Sequence, residues 1–212
     1  MGRRKKEPRS VHRQNIAAAA SILFMEKGIS AVSMDDIAKA AGYSKATLYV
    51  YFESKEEIVS ILVLNSMKKL YGYISSALVH QETTKERYGF ICRGLVQYQE
   101  EFPFYFRMVL DKINIDYEDY DSLPEEKETY QIGEEINEKI KQFLISGMEK
   151  GDLRSDLEIM PAIFNFWGML SGIIQLAANK EEYIEKSMGL SKNEFLEYGF
   201  SMLYHSITTG KE

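Results

Sequence analysis

Helical periodicity runs along nearly the whole of this 212-residue chain, interrupted by only four prolines, at Pro8, Pro103, Pro124 and Pro161. No alternating apolar and polar pattern lasts longer than a few residues, so no stretch reads as a half-buried strand. Leu, Ile, Glu, Lys, Ala and Met fill the segments between the prolines and sit comfortably in helices. The expected fold class is all-α. With 45% hydrophobic residues the chain is long and apolar enough to bury the core of one or two small domains.

Location and chemistry are narrowed next. The single Cys92 cannot close an intramolecular disulfide, and the Met-Gly-Arg-Arg-Lys-Lys start leads into polar sequence, not the apolar core of a signal peptide. A cytoplasmic protein is expected. Residues Ala162 to Ala178 carry no charge, but 17 residues are at the low limit for a bilayer span. Asn165, Ser171 and Gln175 would also need partners inside the membrane, so a helix buried between protein surfaces is expected and no membrane partner. His12, His80 and His205 are the only histidines and lie in three distant regions. No Cys or His pair has metal-ligand spacing, and neither a Gly-rich phosphate loop nor a Ser-His-Asp set is present, so no catalytic residue, metal or cofactor is expected.

Charge is unevenly distributed. The total is -6, yet residues 1–60 hold ten Lys or Arg against seven Asp or Glu, a net of +3, leaving -9 for the remainder. The basic end is the candidate nucleic-acid face, because neutralising phosphates supplies sequence-independent affinity. A first helix is expected from Val11 to Lys27, with Ile16, Ala20, Leu23 and Phe24 as its buried stripe and Gly28 as a left-handed stop. Ser33 is a good N-cap for a short helix in which Met34, Ile37, Ala38 and Ala41 share a face, Asp36 answers the cap, and Gly42 ends the helix. After Tyr43, Ser44 caps a helix of barely two turns, Lys45 to Phe52. Leu48 and Phe52, four apart, face the core, which leaves Lys45, Ala46, Thr47, Tyr49 and Tyr51 to meet a partner. Such a surface suits DNA: Ala46 permits close approach, hydroxyls of Thr47 and the tyrosines can bond phosphates, and Lys45 can reach base edges or backbone.

The run from Ser33 to Lys55, Ser-Met-Asp-Asp-Ile-Ala-Lys-Ala-Ala-Gly-Tyr-Ser-Lys-Ala-Thr-Leu-Tyr-Val-Tyr-Phe-Glu-Ser-Lys, closely resembles the helix-turn-helix signature of the TetR family. Ile16, Ala19, Ala20, Leu23, Phe24 and Gly28 extend the resemblance backwards, so that it covers roughly residues 10–65. Tyr43 stands where a smaller apolar residue is more usual, and Val50 where another aromatic is common. The resemblance implies that Ser33, Thr47, Tyr49, Tyr51 and Lys55 contact phosphates and that Lys45 and Ala46 lie nearest the base edges. Tyr43 and Ser44, in the turn, complete the DNA-facing set. It also implies a double-stranded operator as partner, a homodimer, and a small-molecule effector. The expected partition is a basic arm over residues 1–9, a DNA-binding domain over 10–56, and a helical regulatory and dimerisation domain over 57–212.

Beyond residue 56 only periodicity speaks. A helix is expected from Lys55 to about Val79, then Thr84 to Glu101, Pro103 to Lys112, Glu125 to Lys150, Leu157 to Asn179, a short one from Lys180 to Met188, and Ser191 to Thr209. The acidic stretch Asp116 to Asp121 reads as a loop. Phe164, Trp167, Leu170, Ser171, Ile174 and Gln175, with Leu196, Gly199, Met202, Leu203 and Ile207, are the candidate dimer surface. Tyr71, Tyr88, Tyr98, Phe102, Phe104, Tyr105, Met108, Phe143 and Phe166 are the candidate pocket for a largely apolar effector, since rings with a polar tip and pliable thioethers suit such a cavity. The function expected is a ligand-responsive repressor; the alternative is an architectural DNA-binding protein without a ligand.

Overall fold

The computed structural model describes residues 8–79, 83–110 and 123–210. Among these, ten helices occur: α1 (Arg9–Lys27), α2 (Met34–Ala41), α3 (Lys45–Tyr51), α4 (Lys55–Leu78), α5 (Thr84–Glu101), α6 (Pro103–Met108), α7 (Pro124–Glu149), α8 (Ile159–Asn179), α9 (Glu181–Met188) and α10 (Lys192–Ile207). The only strand-like pairing described is one isolated bridge, Leu153 to Thr208. The all-α class therefore holds, and the helix ends agree with the expected ones to within a few residues. The acidic loop, the basic residues before Pro8 and the end of the helix expected to reach Lys112 lie outside the described residues.

The described residues fall into two compact units, one formed by residues 8–66 with 123–129 and the other by 67–79, 83–110 and 130–210. This division differs from a cut at residue 56: the first half of α4 and the first turn of α7 belong with the N-terminal helices.

In the first unit α1 packs against α2 and α3. Ile16, Ala20 and Phe24 recur every four residues and are buried, as are Ile37, Leu48, Phe52, Ile58 and Leu62. A stripe at that spacing lies on one side of a helix, which is why three short helices can share one core. The turns are set chemically. Ser33 caps α2, its hydroxyl accepting from the Asp36 N–H at 3.2 Å while the Asp36 carboxylate accepts from the Ser33 N–H at 3.0 Å. Gly42 ends α2 in the left-handed conformation at φ 75°. Gly28 has a positive φ of 80° but an extended ψ of 151°, so it turns the chain out of α1 without the expected left-handed stop.

In the second unit α8 packs against α5, α9 and α10, and α10 also reaches α5. Ile91, Leu95, Tyr98, Ile140, Phe143, Ile163, Leu170 and Ile174 form its core, each no more than 1% exposed. The Tyr88 hydroxyl, sunk among them, donates to the Phe200 carbonyl at 2.8 Å, which satisfies a polar group that burial would otherwise penalise. Capping boxes start α5 at Thr83 and α10 at Ser191. By length and composition α8 is apolar enough to cross a bilayer, but Ile163, Phe166, Leu170, Ser171, Ile174 and Ala177 are committed to this core.

Candidate nucleic-acid interface

The α3 helix has seven residues, too few to be stable by themselves, so it depends on its anchors. Leu48 and Phe52, both fully buried, fix one side to the core. Ser44 fixes the start, its hydroxyl accepting from the Thr47 N–H at 3.1 Å and sharing a 2.7 Å hydrogen bond with the Thr47 hydroxyl. The opposite face is left to solvent: Ser44, Lys45, Ala46, Tyr49 and Val50 are exposed. Lys45 reaches back to α2, 2.8 Å from an Asp35 carboxylate oxygen, and this hydrogen bond holds the ammonium pKa above its usual value.

Other expected contacts fall into distinct settings. Ser33 is exposed, but its hydroxyl and its N–H both donate to the Asp36 carboxylate, so a phosphate contact would have to displace that bond. Tyr43 and Tyr51 are half-buried and form an aromatic group with His12, whose Nδ1 lies 2.7 Å from the Tyr43 hydroxyl. The Arg9 guanidinium stands 5.9 Å from the Tyr51 ring centre. Lys55 departs from the expectation of a free phosphate contact. Its ammonium donates to the Ile29 and Val32 carbonyls at 2.8 and 3.0 Å, so it ties down the α1–α2 connection.

Arg13, which carries no motif signal, is the hub of this side of the unit. Its guanidinium donates to the Tyr51 carbonyl at the end of α3 and to Glu125 in the first turn of α7, both at 2.8 Å. It also lies 4.0 Å from Glu57 and covers the Phe52 ring at 4.4 Å. Arg13 could be suspected from its position three residues before Ile16; Glu125, 112 residues away, carries no local signal.

The candidate dimer surface needs correction. Leu170, Ser171, Ile174 and Leu196 are at most 3% exposed and belong to the chain's own core. Trp167, Leu203 and Ile207 are partly buried against that core, and Gln175 and Gly199 are intermediate. Of the expected set Phe164 and Met202 stand outward, both 58% exposed. The apolar face that faces outward is one step around the helix: Met160, Phe164, Met169 and Leu176 on α8, with Gly168 and Gly172 between them, and Tyr198 and Met202 on α10.

The candidate pocket is also rearranged. Tyr88, Tyr98, Phe104, Met108, Phe143 and Phe166 are buried packing residues, and Phe102 and Tyr105 stack on each other at 6.1 Å. Tyr71 lines an open groove of about 390 Å³, shared with Leu78, Arg87, Glu135, Lys139 and Gln142. Arg87 lines it while its Nε is buried behind the surface without a hydrogen-bond partner, and Lys139 lies over the Tyr71 ring at 5.1 Å. A second groove of about 260 Å³ runs beside Phe166, Met169 and Leu203.

A three-helix unit presenting a short, capped, outward second helix has the form of a helix-turn-helix DNA-binding unit. Residues 16–60 match the bacterial regulatory proteins of the tetR family. The chain is 28% identical over 104 residues to the transcriptional activator FasR of Mycolicibacterium smegmatis and 33% identical over 100 residues to the negative regulator IcaR of Staphylococcus aureus. It spans about half the length of these relatives, 48% and 50%. Its fold resembles that of PfmR, a TetR-family regulator from Thermus thermophilus, with a TM-score of 0.66, 26% identity, and 90% of this chain and 97% of that one covered. Residues 16–60 thus carry the DNA-binding region typical of the tetR family, and the chain as a whole is similar in fold to a regulator of that family.

Proposed function

We propose that this protein is a cytoplasmic, non-enzymatic repressor that binds a pseudo-palindromic operator as a homodimer and is released by a small effector with an apolar body. The observation that carries the DNA-binding part is the division of α3 into a fully buried side, Leu48 and Phe52, and an exposed side beginning at Ser44. A helix needed only for packing has no reason to be anchored so firmly while presenting Lys45, Ala46 and Tyr49 to solvent. One such helix reads only a few base pairs, so two-fold symmetry is the means to a specific site, with the two reading heads about 34 to 36 Å apart. The second copy would sit on the outward face of α8 and α10, where Gly168 and Gly172 allow close helix approach.

The effector would lie in the groove beside Tyr71, where Leu78 supplies apolar wall and Arg87 and Lys139 supply positive charge. Repression follows the likeness to IcaR, whereas FasR is an activator; the position of the operator relative to the promoter decides between them.

Selection of bound duplexes from a random pool tests the proposal. The expected product is an inverted repeat, bound more weakly as salt rises, because each phosphate contact releases counterions. Equal binding to selected and random duplexes at physiological salt would leave the DNA-reading proposal without support. An effector tied to the regulated gene should bind operator-free protein more tightly, by roughly 5- to 150-fold for a typical coupling. No difference for any such compound would favour an architectural protein instead.

A further inference from the structure

Of the side chains that α3 turns to solvent, Val50 is the one that folding does not account for. It is 62% exposed, more than Tyr49 at 45%, while its neighbours at two residues either side, Leu48 and Phe52, are fully buried and already anchor the helix. A β-branched residue gives up side-chain freedom in a helix and slightly disfavours it, so Val50 is not there for helix propensity in a segment of seven residues. Ala46 lies four residues earlier on the same face, and Tyr49 completes the patch at i+3 from Ala46. The polar alternatives nearby are engaged: Lys45 with Asp35 at 2.8 Å, Thr47 with Ser44 at 2.7 Å. The centre of the reading face is therefore carbon.

In the major groove the base pairs present donors and acceptors, and the one apolar group among them is the 5-methyl of thymine. We infer that Val50, flanked by Ala46 and Tyr49, is a specificity-determining residue that reads a thymine 5-methyl group in each half-site. The inference rests on the DNA-binding proposal above. The single preferred rotamer of valine in a helix holds its two methyl groups in a fixed direction, so the contact needs little ordering on binding.

Replacing thymine by deoxyuridine removes the methyl and leaves base pairing and hydrogen-bonding edges intact. Each thymine of the selected operator is replaced in turn, symmetrically in both half-sites, and affinity is measured for the intact protein and for Val50→Ala. At one thymine position the wild type should lose roughly fourfold for each half-site, the worth of burying one methyl group, and so about fifteenfold for the pair. Val50→Ala should bind the thymine operator more weakly, and its two affinities at that position should be equal. The inference is overturned if the wild type binds every deoxyuridine duplex as tightly as the parent, or if Val50→Ala keeps the full penalty. Selection of a site without thymine would overturn it as well. A wild type that selects no duplex at all would instead bring down the DNA-binding proposal, and this inference with it.

Discussion

In the first unit the outward-facing helix, α3, has seven residues and shows solvent a small patch of Ala46, Tyr49 and Val50. In the second, α8 has 21 residues and shows a long apolar face from Met160 to Leu176, extended by Met202 of α10. Both helices are anchored by fully buried residues on the other side. The difference is one of area. A few side chains flanked by Ser44, Lys45 and Thr47 can contact base edges without a large apolar surface to hide, whereas a face with several exposed rings and thioethers calls for continuous cover by protein.

The largest effect should come from testing which side of α8 serves another chain. Phe164→Glu with Met202→Glu places two charges on the proposed contact while leaving the core untouched, and should convert dimer to folded monomer in sedimentation. Leu170→Ala should do the reverse, costing about 2 to 5 kcal/mol of stability by opening the core while the chain stays dimeric where folded. A double variant that remains a dimer would remove α8 and α10 from the interface.

The error in the expected interface has a definite cause. Helical periodicity places Leu170, Ile174 and Leu196 on apolar faces, but α8 is apolar on nearly all sides, so its pattern cannot say which face meets the chain's own α5 and which a second copy. The same applies to Tyr88, Tyr98 and Phe143, whose ring chemistry fits a pocket as well as a core and which proved to be core. In the first unit sequence said far more. Ser33, Gly42, Ser44, Leu48 and Phe52 each carry a local requirement, a cap, a left-handed turn or a buried spacing, that neighbouring residues reveal. Arg13 and Glu125 escaped because their pairing joins distant parts of the chain.

Arg13 gives the next effect in size. Arg13→Ala would leave Glu125 and Glu57 without their cation and uncover the Tyr51 carbonyl and the Phe52 ring. The Arg13 and Glu125 side chains retain 19% and 20% exposure, so the loss should fall below that for a fully buried pair, at about 1 to 3 kcal/mol. Glu125→Gln, which keeps a hydrogen-bond acceptor, should cost less. Because Arg13 holds the end of α3, operator affinity should fall along with the denaturation midpoint. An unchanged midpoint for Arg13→Ala would show that the hub adds nothing to the fold.

The smallest effects compare like with like across the two units, through capping boxes of the same design. Ser33→Ala and Ser191→Ala should each lower stability by about 1 kcal/mol. Only Ser33→Ala should also weaken operator binding, if Ser33 meets phosphate; equal affinities for the two variants would confine Ser33 to capping. Acid adds a second test. Hydrogen bonds from the capping hydroxyls and N–H groups hold the Asp36, Glu86 and Glu194 carboxyls below their usual values. A carboxyl with a depressed folded pKa stabilises the native state above its unfolded value of about 4, and that contribution fades as pH falls through the folded value. The wild type should therefore lose more stability between neutral pH and about pH 3 than a variant with Ser33, Thr83 and Ser191 all changed to Ala, because that variant has lost the hydroxyl bonds and keeps only the backbone N–H bonds to these carboxylates. The groups are exposed, so the gap between the two pH profiles should be modest, and a wild-type profile parallel to that of the triple variant would show that these carboxylates gain nothing from the capping hydroxyls.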